Sequence, residues 1–239
     1  VAAAGITVAK HGNRAVSSGS GSADVLEALG VNIDVPKEMV ERCLREVGFG
    51  FLFAPALHGA MKHAAAPRRE VGIRTIFNLL GPLTNPARAS HQLIGIYDGT
   101  LIETVAQVLG NLGSQRAMVV HGEEGLDEIS LGGPTAVAEW KNGGVIRYTL
   151  EPEEYGFDKH CADLFTAADP GECASILRGI LKGTKGPARD VVLLNGGAAL
   201  CVSERVETIA DGVTLARECI DSGAAFQKLE HLIRLTNEA

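Results

Sequence analysis

Residues 92–121 read QLIGIYDGTLIETVAQVLGNLGSQRAMVVH, and this stretch decides the fold class. Gln92 to Tyr97 and Arg116 to His121 are short apolar runs of strand length, and Leu101 to Leu112 between them carries its apolar residues at helical spacing. Strand, helix and strand in that order make a βαβ unit, because the helix returns the chain to the end of the sheet from which it left. The two strands are then parallel and the crossover right-handed.

On the C-terminal side, Thr135 to Lys141 and Val145 to Leu150 flank Asn142-Gly143-Gly144, residues that tolerate positive φ and so predict an antiparallel hairpin. From about Pro170 onward the chain is rich in alanine and leucine at helical period, broken at Gly183 to Pro187. On the N-terminal side, Ile6 to Ala9 predicts a strand opening into a polar loop from Lys10 to Ser22. A short helix is expected over Ala23 to Gly30, with an acid in its first turn and a glycine at its end. A further helix after Pro36 has Met39, Val40, Cys43, Leu44 and Val47 on one face; Phe49 to Ala54 reads as a buried strand and Pro55 to Glu70 as a helix. The expected fold is therefore α/β: a central, mostly parallel sheet with an antiparallel hairpin, flanked by helices, in one domain over residues 1–239.

Composition narrows the function classes. With 46% hydrophobic residues in 239, the chain has the mass for a substantial core. A net charge of −7 opposes a general nucleic-acid binder, whose phosphate contacts need clustered Lys and Arg. The five cysteines contain no C-x-x-C pair, which fits a reducing, cytoplasmic setting better than a disulfide framework or a zinc knuckle. No apolar run is long enough to cross a bilayer, so no membrane partner is expected.

Three segments have the composition of chemistry. Lys10 to Ser22, KHGNRAVSSGSGS, gathers two cations, a histidine, hydroxyls and glycines ahead of a helix. Backbone amides exposed by glycine, serine hydroxyls and a helix N-terminus suit a phosphate or pyrophosphate; the alternative is a flexible polar loop with a serine cap. Asp127-Glu128 follows the strand that ends at His121, where adjacent carboxylates can hold Mg²⁺ or lie solvated in a loop. Arg68-Arg69-Glu70, followed by Arg74 to Pro86, offers guanidinium forks for an acid substrate, or for surface ion pairs. His58 and His63 are five residues apart, which is not metal-ligand spacing on one helical face.

Taken together, these segments resemble anthranilate phosphoribosyltransferases. The matching motifs are K-H-G-N-R-x-V-S-S-x-x-G-S-A-D-V-L-E-A-L-G at Lys10 to Gly30, F-L-F-A-P at Phe51 to Pro55, R-T-I-F-N-L-L-G-P-L-T-N-P at Arg74 to Pro86 and G-L-D-E at Gly125 to Glu128. The resemblance implies transfer of a phosphoribosyl group from phosphoribosyl pyrophosphate to anthranilate in tryptophan biosynthesis. It implies a phosphoribosyl pyrophosphate site made of Lys10, His11, Gly12, Asn13, Arg14, Ala15, Val16, Ser17 and Ser18, with Ser22 at the helix start. Anthranilate would meet Asn13, Arg68 and His58; Asp127 and Glu128 would hold Mg²⁺; Lys10 and His11 would take part in catalysis.

The family's G-T-G-G-D loop and the helices that carry it precede the stretch aligned with Val1. The small N-terminal helical domain is thus expected to be largely missing here, together with most of the homodimer contact. Two other readings share parts of this pattern: a pyrimidine-nucleoside phosphorylase-like enzyme, which lacks the Arg74 to Pro86 signature, and a non-enzymatic nucleic-acid-binding relative, which predicts a basic groove.

Overall fold

The computed structural model describes residues 1–15, 20–57, 77–160 and 169–238. Two sheets organise them. β1 (Val8–Gly12) and β2 (Phe49–Phe53) pair in parallel, joined through α1 (Ser22–Ala28) and α2 (Lys37–Glu46). β3 (His91–Gly95) and β4 (Arg116–Gly122) pair in parallel across helix Ile102–Asn111, the βαβ unit expected from residues 92–121. β5 (Thr135–Lys141) and β6 (Gly144–Leu150) extend that sheet antiparallel, in the order β3-β4-β5-β6. The hairpin turn places Asn142 at φ 53° and Gly143 at φ 81°, the left-handed pair that suits a right-twisted two-residue connection.

The α/β class, the parallel unit, the hairpin and the flanking helices follow the sequence expectation. The arrangement differs in one respect: among the described residues the strands form two sheets, with two parallel and two antiparallel pairings between them. A local reason is visible at the edge of β1. The Ala9 carbonyl accepts from Asn85 Nδ2 at 3.0 Å, so a side chain takes an acceptor that a neighbouring strand would otherwise use. β1 also begins later and runs further than Ile6 to Ala9. Its pairing carries Lys10, His11 and Gly12 opposite Phe51, Leu52 and Phe53, because the apolar partner strand supplies backbone bonds regardless of the polar side chains on β1.

β4 is buried on both faces, as its continuous apolar reading requires. Met118 and Val120 enter one core with Leu193, Leu194 and Ala198. Ala117 and Val119 enter another with Ile102, Val105 and Leu109. The first core is closed by two C-terminal helices, Pro187–Val202 and Ile209–Asp221. They meet where a Cβ on Gly197 would lie 2.6 Å from the Val213 nitrogen and one on Gly212 would overlap the Gly197 carbonyl oxygen.

At the start of β4 the buried Arg116 donates from Nε to Glu139 Oε1 at 2.6 Å and from Nη1 to the Cys201 carbonyl at 2.6 Å, while Tyr148 donates to Glu139 Oε2 at 2.8 Å. Burial and then the Glu139 charge push the Tyr148 phenol well above its ordinary pKa, so it stays a donor. Each charge in this cluster thus has its partner, the condition under which burying an ion pair is tolerable.

Gly212→Ala is expected to pry the two helices apart and to cost about 1–3 kcal/mol. Urea unfolding measures this; a variant as stable as the parent would mean that the glycine contact carries no packing constraint.

Candidate functional site

β1 ends on the segment that opens the first candidate site. A Cβ on Gly12 would overlap Ser22 Oγ and come within 2.8 Å of the Phe51 ring, so glycine lets the chain pass tightly between the start of α1 and β2. Beyond it the chain turns back on α1: the Asn13 carbonyl accepts from Ala23 N at 3.3 Å, and Asn13 Oδ1 accepts from Arg14 N at 2.8 Å.

The organiser of this turn is Asp24, which sequence reasoning treated only as a first-turn acid. Its Oδ2 accepts from Ala15 N and Gly21 N, both at 2.9 Å. Those amides, and then Arg14, hold its carboxyl below the usual carboxylate range. The legible signal was spacing, since an acid three residues after the cap position reaches back to the cap amide. Arg14 is committed as well. Its guanidinium pairs with Asp24 at 3.3 Å and with Glu27, donating to Glu27 Oε1 at 2.7 Å, and lies 5.6 Å over the Phe53 ring. The expected anion cradle is therefore partly filled from within: Ala15 N, Gly21 N and the Arg14 guanidinium serve an internal carboxylate, whereas Lys10 and Asn13 are exposed.

The second candidate site follows β4. Gly122 N donates to the Leu126 carbonyl at 2.9 Å and Gly125 N to the Gly122 carbonyl at 2.8 Å, a tight loop that Gly125 permits with φ 91°. Glu124 takes a short hydrogen bond from Ser130 Oγ, which in turn accepts from Gly132 N at 2.8 Å. Asp127 presses on β3: a Cβ on Gly95 would overlap its carbonyl oxygen. His121 Nδ1 lies 2.9 Å from the Ile96 carbonyl, and the His121 ring packs on Gly99.

Tertiary structure brings these two segments together. Glu128 keeps exposed surface, yet the protein around its carboxyl desolvates it and raises its pKa; the Lys10 charge opposes that rise and the neighbouring Asp127 charge adds to it. Lys10 is thus a counter-charge within electrostatic reach of Glu128, from the middle of a strand in a different sheet. Asn85, from the Arg74 to Pro86 segment, clamps the residue just before Lys10, a role that the arginine-centred reading of that segment did not foresee. Ser22 lies beside Gly12. Val16, Ser17, Ser18, His58, His63 and Arg68 lie outside the described residues.

The acid pair fits a hard divalent cation. Among the described residues no third acid, histidine or cysteine joins it to make a closed protein cage. Mg²⁺ at phosphate sites characteristically takes one or two carboxylates and completes its shell with water and substrate oxygens. Two adjacent carboxylates, with the Lys10 charge acting on Glu128, leave net negative charge for such a cation to neutralise.

Residues 1–226 match the family described as "Glycosyl transferase family, a/b domain". The anthranilate phosphoribosyltransferase of Trichlorobacter lovleyi is 56% identical over 237 residues, 99% of this chain and 68% of that protein. Among solved structures, anthranilate phosphoribosyltransferase from Thermus thermophilus superposes with a TM-score of 0.93 at 45% identity, over 98% of this chain and 70% of that one. The Saccharomyces cerevisiae enzyme, solved in complex with PRPP and Mg, superposes with a TM-score of 0.89 at 31% identity, over 100% of this chain and 68% of that one.

Two outcomes follow from the geometry. Gly95→Ala must displace Asp127 and should cut the hydrogen-exchange protection of the Ile129 amide about tenfold, the equivalent of a modest overpacking cost; unchanged protection would show that the contact yields freely. In metal-free protein followed by carboxyl NMR, the Glu128 midpoint should rise in Lys10→Met and fall in Asp127→Asn. Movement in the opposite direction would remove that charge from the surroundings of Glu128.

Proposed function

The chain belongs to the anthranilate phosphoribosyltransferase family, and on that premise we propose that Lys10, Asp127 and Glu128 form the pyrophosphate end of its active site. The enzyme transfers the phosphoribosyl group of 5-phosphoribosyl 1-pyrophosphate to the amine of anthranilate, giving N-(5-phosphoribosyl)anthranilate and pyrophosphate, in tryptophan biosynthesis. The observation that carries the site assignment is the placement of Lys10, in the middle of β1, where its charge acts on Glu128 of the carboxyl pair that follows β4. Ligand sites in α/β proteins characteristically lie at the carboxyl ends of their strands.

Transfer breaks the bond between ribose C1 and the pyrophosphate oxygen, so positive charge grows on the sugar and negative charge on the leaving group. Lys10 holds the pyrophosphate by charge, and its interaction strengthens as that negative charge develops. Asp127 and Glu128 would hold Mg²⁺, which when bound supplies further positive charge to the leaving group. Asp24 and Arg14 keep the turn after β1 folded onto α1, and in this reading the anion would be met by Lys10, Gly12, Asn13 and Ser22, with Val16, Ser17 and Ser18 assigned to it by the family resemblance. Ala15 enters this reading through its place in the turn, its own amide being bound to Asp24.

On the acceptor side, the amine of anthranilate attacks as a neutral aromatic amine and needs no prior deprotonation. Positioning supplies most of what it requires: by the family resemblance the Arg68 fork would match the carboxylate, Asn13 would contact the same acid and His58 would be close to it. His11, at the end of β1, takes the proton released after the new C–N bond forms. The same reading includes one catalytic domain over residues 1–239, a cytoplasmic setting and a homodimeric assembly, all supported by the family resemblance.

Anthranilate fluorescence, followed with phosphoribosyl pyrophosphate and Mg²⁺ present, tests the assignment. Asp127→Asn should slow turnover on the order of 10²-fold, and an unaltered Mg²⁺ dependence in this variant would sink the metal role of the pair. Arg68→Ala should raise the KM for anthranilate while leaving phosphoribosyl pyrophosphate affinity nearly unchanged; equal loss of both would place Arg68 elsewhere.

A further inference from the structure

Helix Pro187–Val202 carries a polar side chain in its half-buried middle, Asn195, between Leu194 in the core and Gly196. Its Nδ2 donates to the Ile129 carbonyl at 2.8 Å and its Oδ1 accepts from Ile129 N at 3.0 Å. The amide thus pairs with both backbone groups of one residue, as a neighbouring strand would. Nδ2 also lies 3.0 Å from the Val191 carbonyl, one turn back, which fixes the rotamer.

The clamped residue is the one that follows Glu128. Ile129, Ser130 and Leu131 are 1%, 2% and 0% exposed, so the chain passes from an open loop into the core at this point. Ile129 lies in the segment between β4 and β5, where no ladder serves its backbone, and an unpaired peptide group at that depth is costly. Two residues earlier, the Asp127 carbonyl is pressed against Gly95. The acid pair is therefore suspended between two fixed points, a strand glycine before it and the Asn195 clamp after it.

From this we infer that Asn195 is a positioning residue of the transferase: by holding the Ile129 peptide it sets how Asp127 and Glu128 present their carboxylates to the Mg²⁺ that they would hold. The inference rests on the reading that this pair holds Mg²⁺, and extends it to a helix that contributes no group to the reaction. Support of this kind around a ligating residue typically changes metal affinity by about 10–100-fold when lost. A purely structural amide would instead lower stability and leave the metal requirement alone.

The test compares Asn195→Leu, which keeps the γ-branched shape and loses the bonds, with Val192→Ala, which thins the packing of the same helix. Phosphoribosyl pyrophosphate binding is measured by calorimetry without acceptor, across a Mg²⁺ series, beside a thermal melt. Asn195→Leu should raise the Mg²⁺ concentration for half-maximal binding about tenfold or more, while Val192→Ala stays within about twofold of the parent. A melting temperature lowered in Asn195→Leu with its Mg²⁺ requirement unchanged overturns the inference, as does an equal shift in Val192→Ala. Asp127→Asn, run alongside, separates the two levels: if it too leaves the Mg²⁺ requirement unchanged, the metal reading itself fails and the inference with it. Should Asn195→Leu not fold, Asn195→Ser carries the same measurement with the same criteria.

Discussion

Two adjacent carboxylates repel each other, and the protein around Glu128 desolvates its charge further. Such a pair remains poised only if the backbone beneath it cannot turn away, and the structure meets that requirement with neutral groups. Gly95 removes a side chain so that the Asp127 backbone can press on β3, and the segment after Glu128 drops at once into the core. Among the described residues, Lys10 then supplies an opposing charge from a strand in the other sheet. Most of the architecture serves this placement: β4 is buried on both faces so that its end is rigid, and the C-terminal helices close the core beneath it.

The same economy of charge governs the turn after β1. A cation beside a glycine-rich segment suggests a ready anion site, but Arg14 and two backbone amides are spent on Asp24 and Glu27. An internal carboxylate at the start of α1 occupies donors that a substrate would otherwise use. The turn is thereby given a shape before any ligand arrives, while Lys10 is exposed and its charge acts on Glu128. This division separates residues that build the turn from residues left open to solvent, although both kinds sit within the same motif.

Much of the fold was legible because its signals are local. Residues 92–121 carry strand, helix and strand in sequence, and the pairing of Gln92 with Ala117 through Gly95 with Val120 realises that unit. Asn142-Gly143 encodes its hairpin through positive φ alone. The K-H-G-N-R and G-L-D-E motifs drew attention to two segments whose charges act on each other in the structure, Lys10 on Glu128. The start of β1 was misplaced by two residues and its end by three, since a polar run such as Lys10-His11 becomes strand only when a distant partner, here Phe51-Leu52, offers backbone bonds.

What the sequence by itself determined was the class of each local element and the identity of the chemical groups: an α/β chain with a basic, glycine-rich segment and an acid pair. Only the tertiary structure decided which of those groups face one another. Lys10 and Glu128 are separated by more than a hundred residues, and their proximity depends on how two sheets sit together. The clamp of Asn85 on Ala9 and that of Asn195 on Ile129 are likewise contacts between distant segments, made by side-chain amides whose local surroundings mark them only as polar residues. Periodicity and composition report on neighbours along the chain, whereas the field at a carboxylate is summed over neighbours in space.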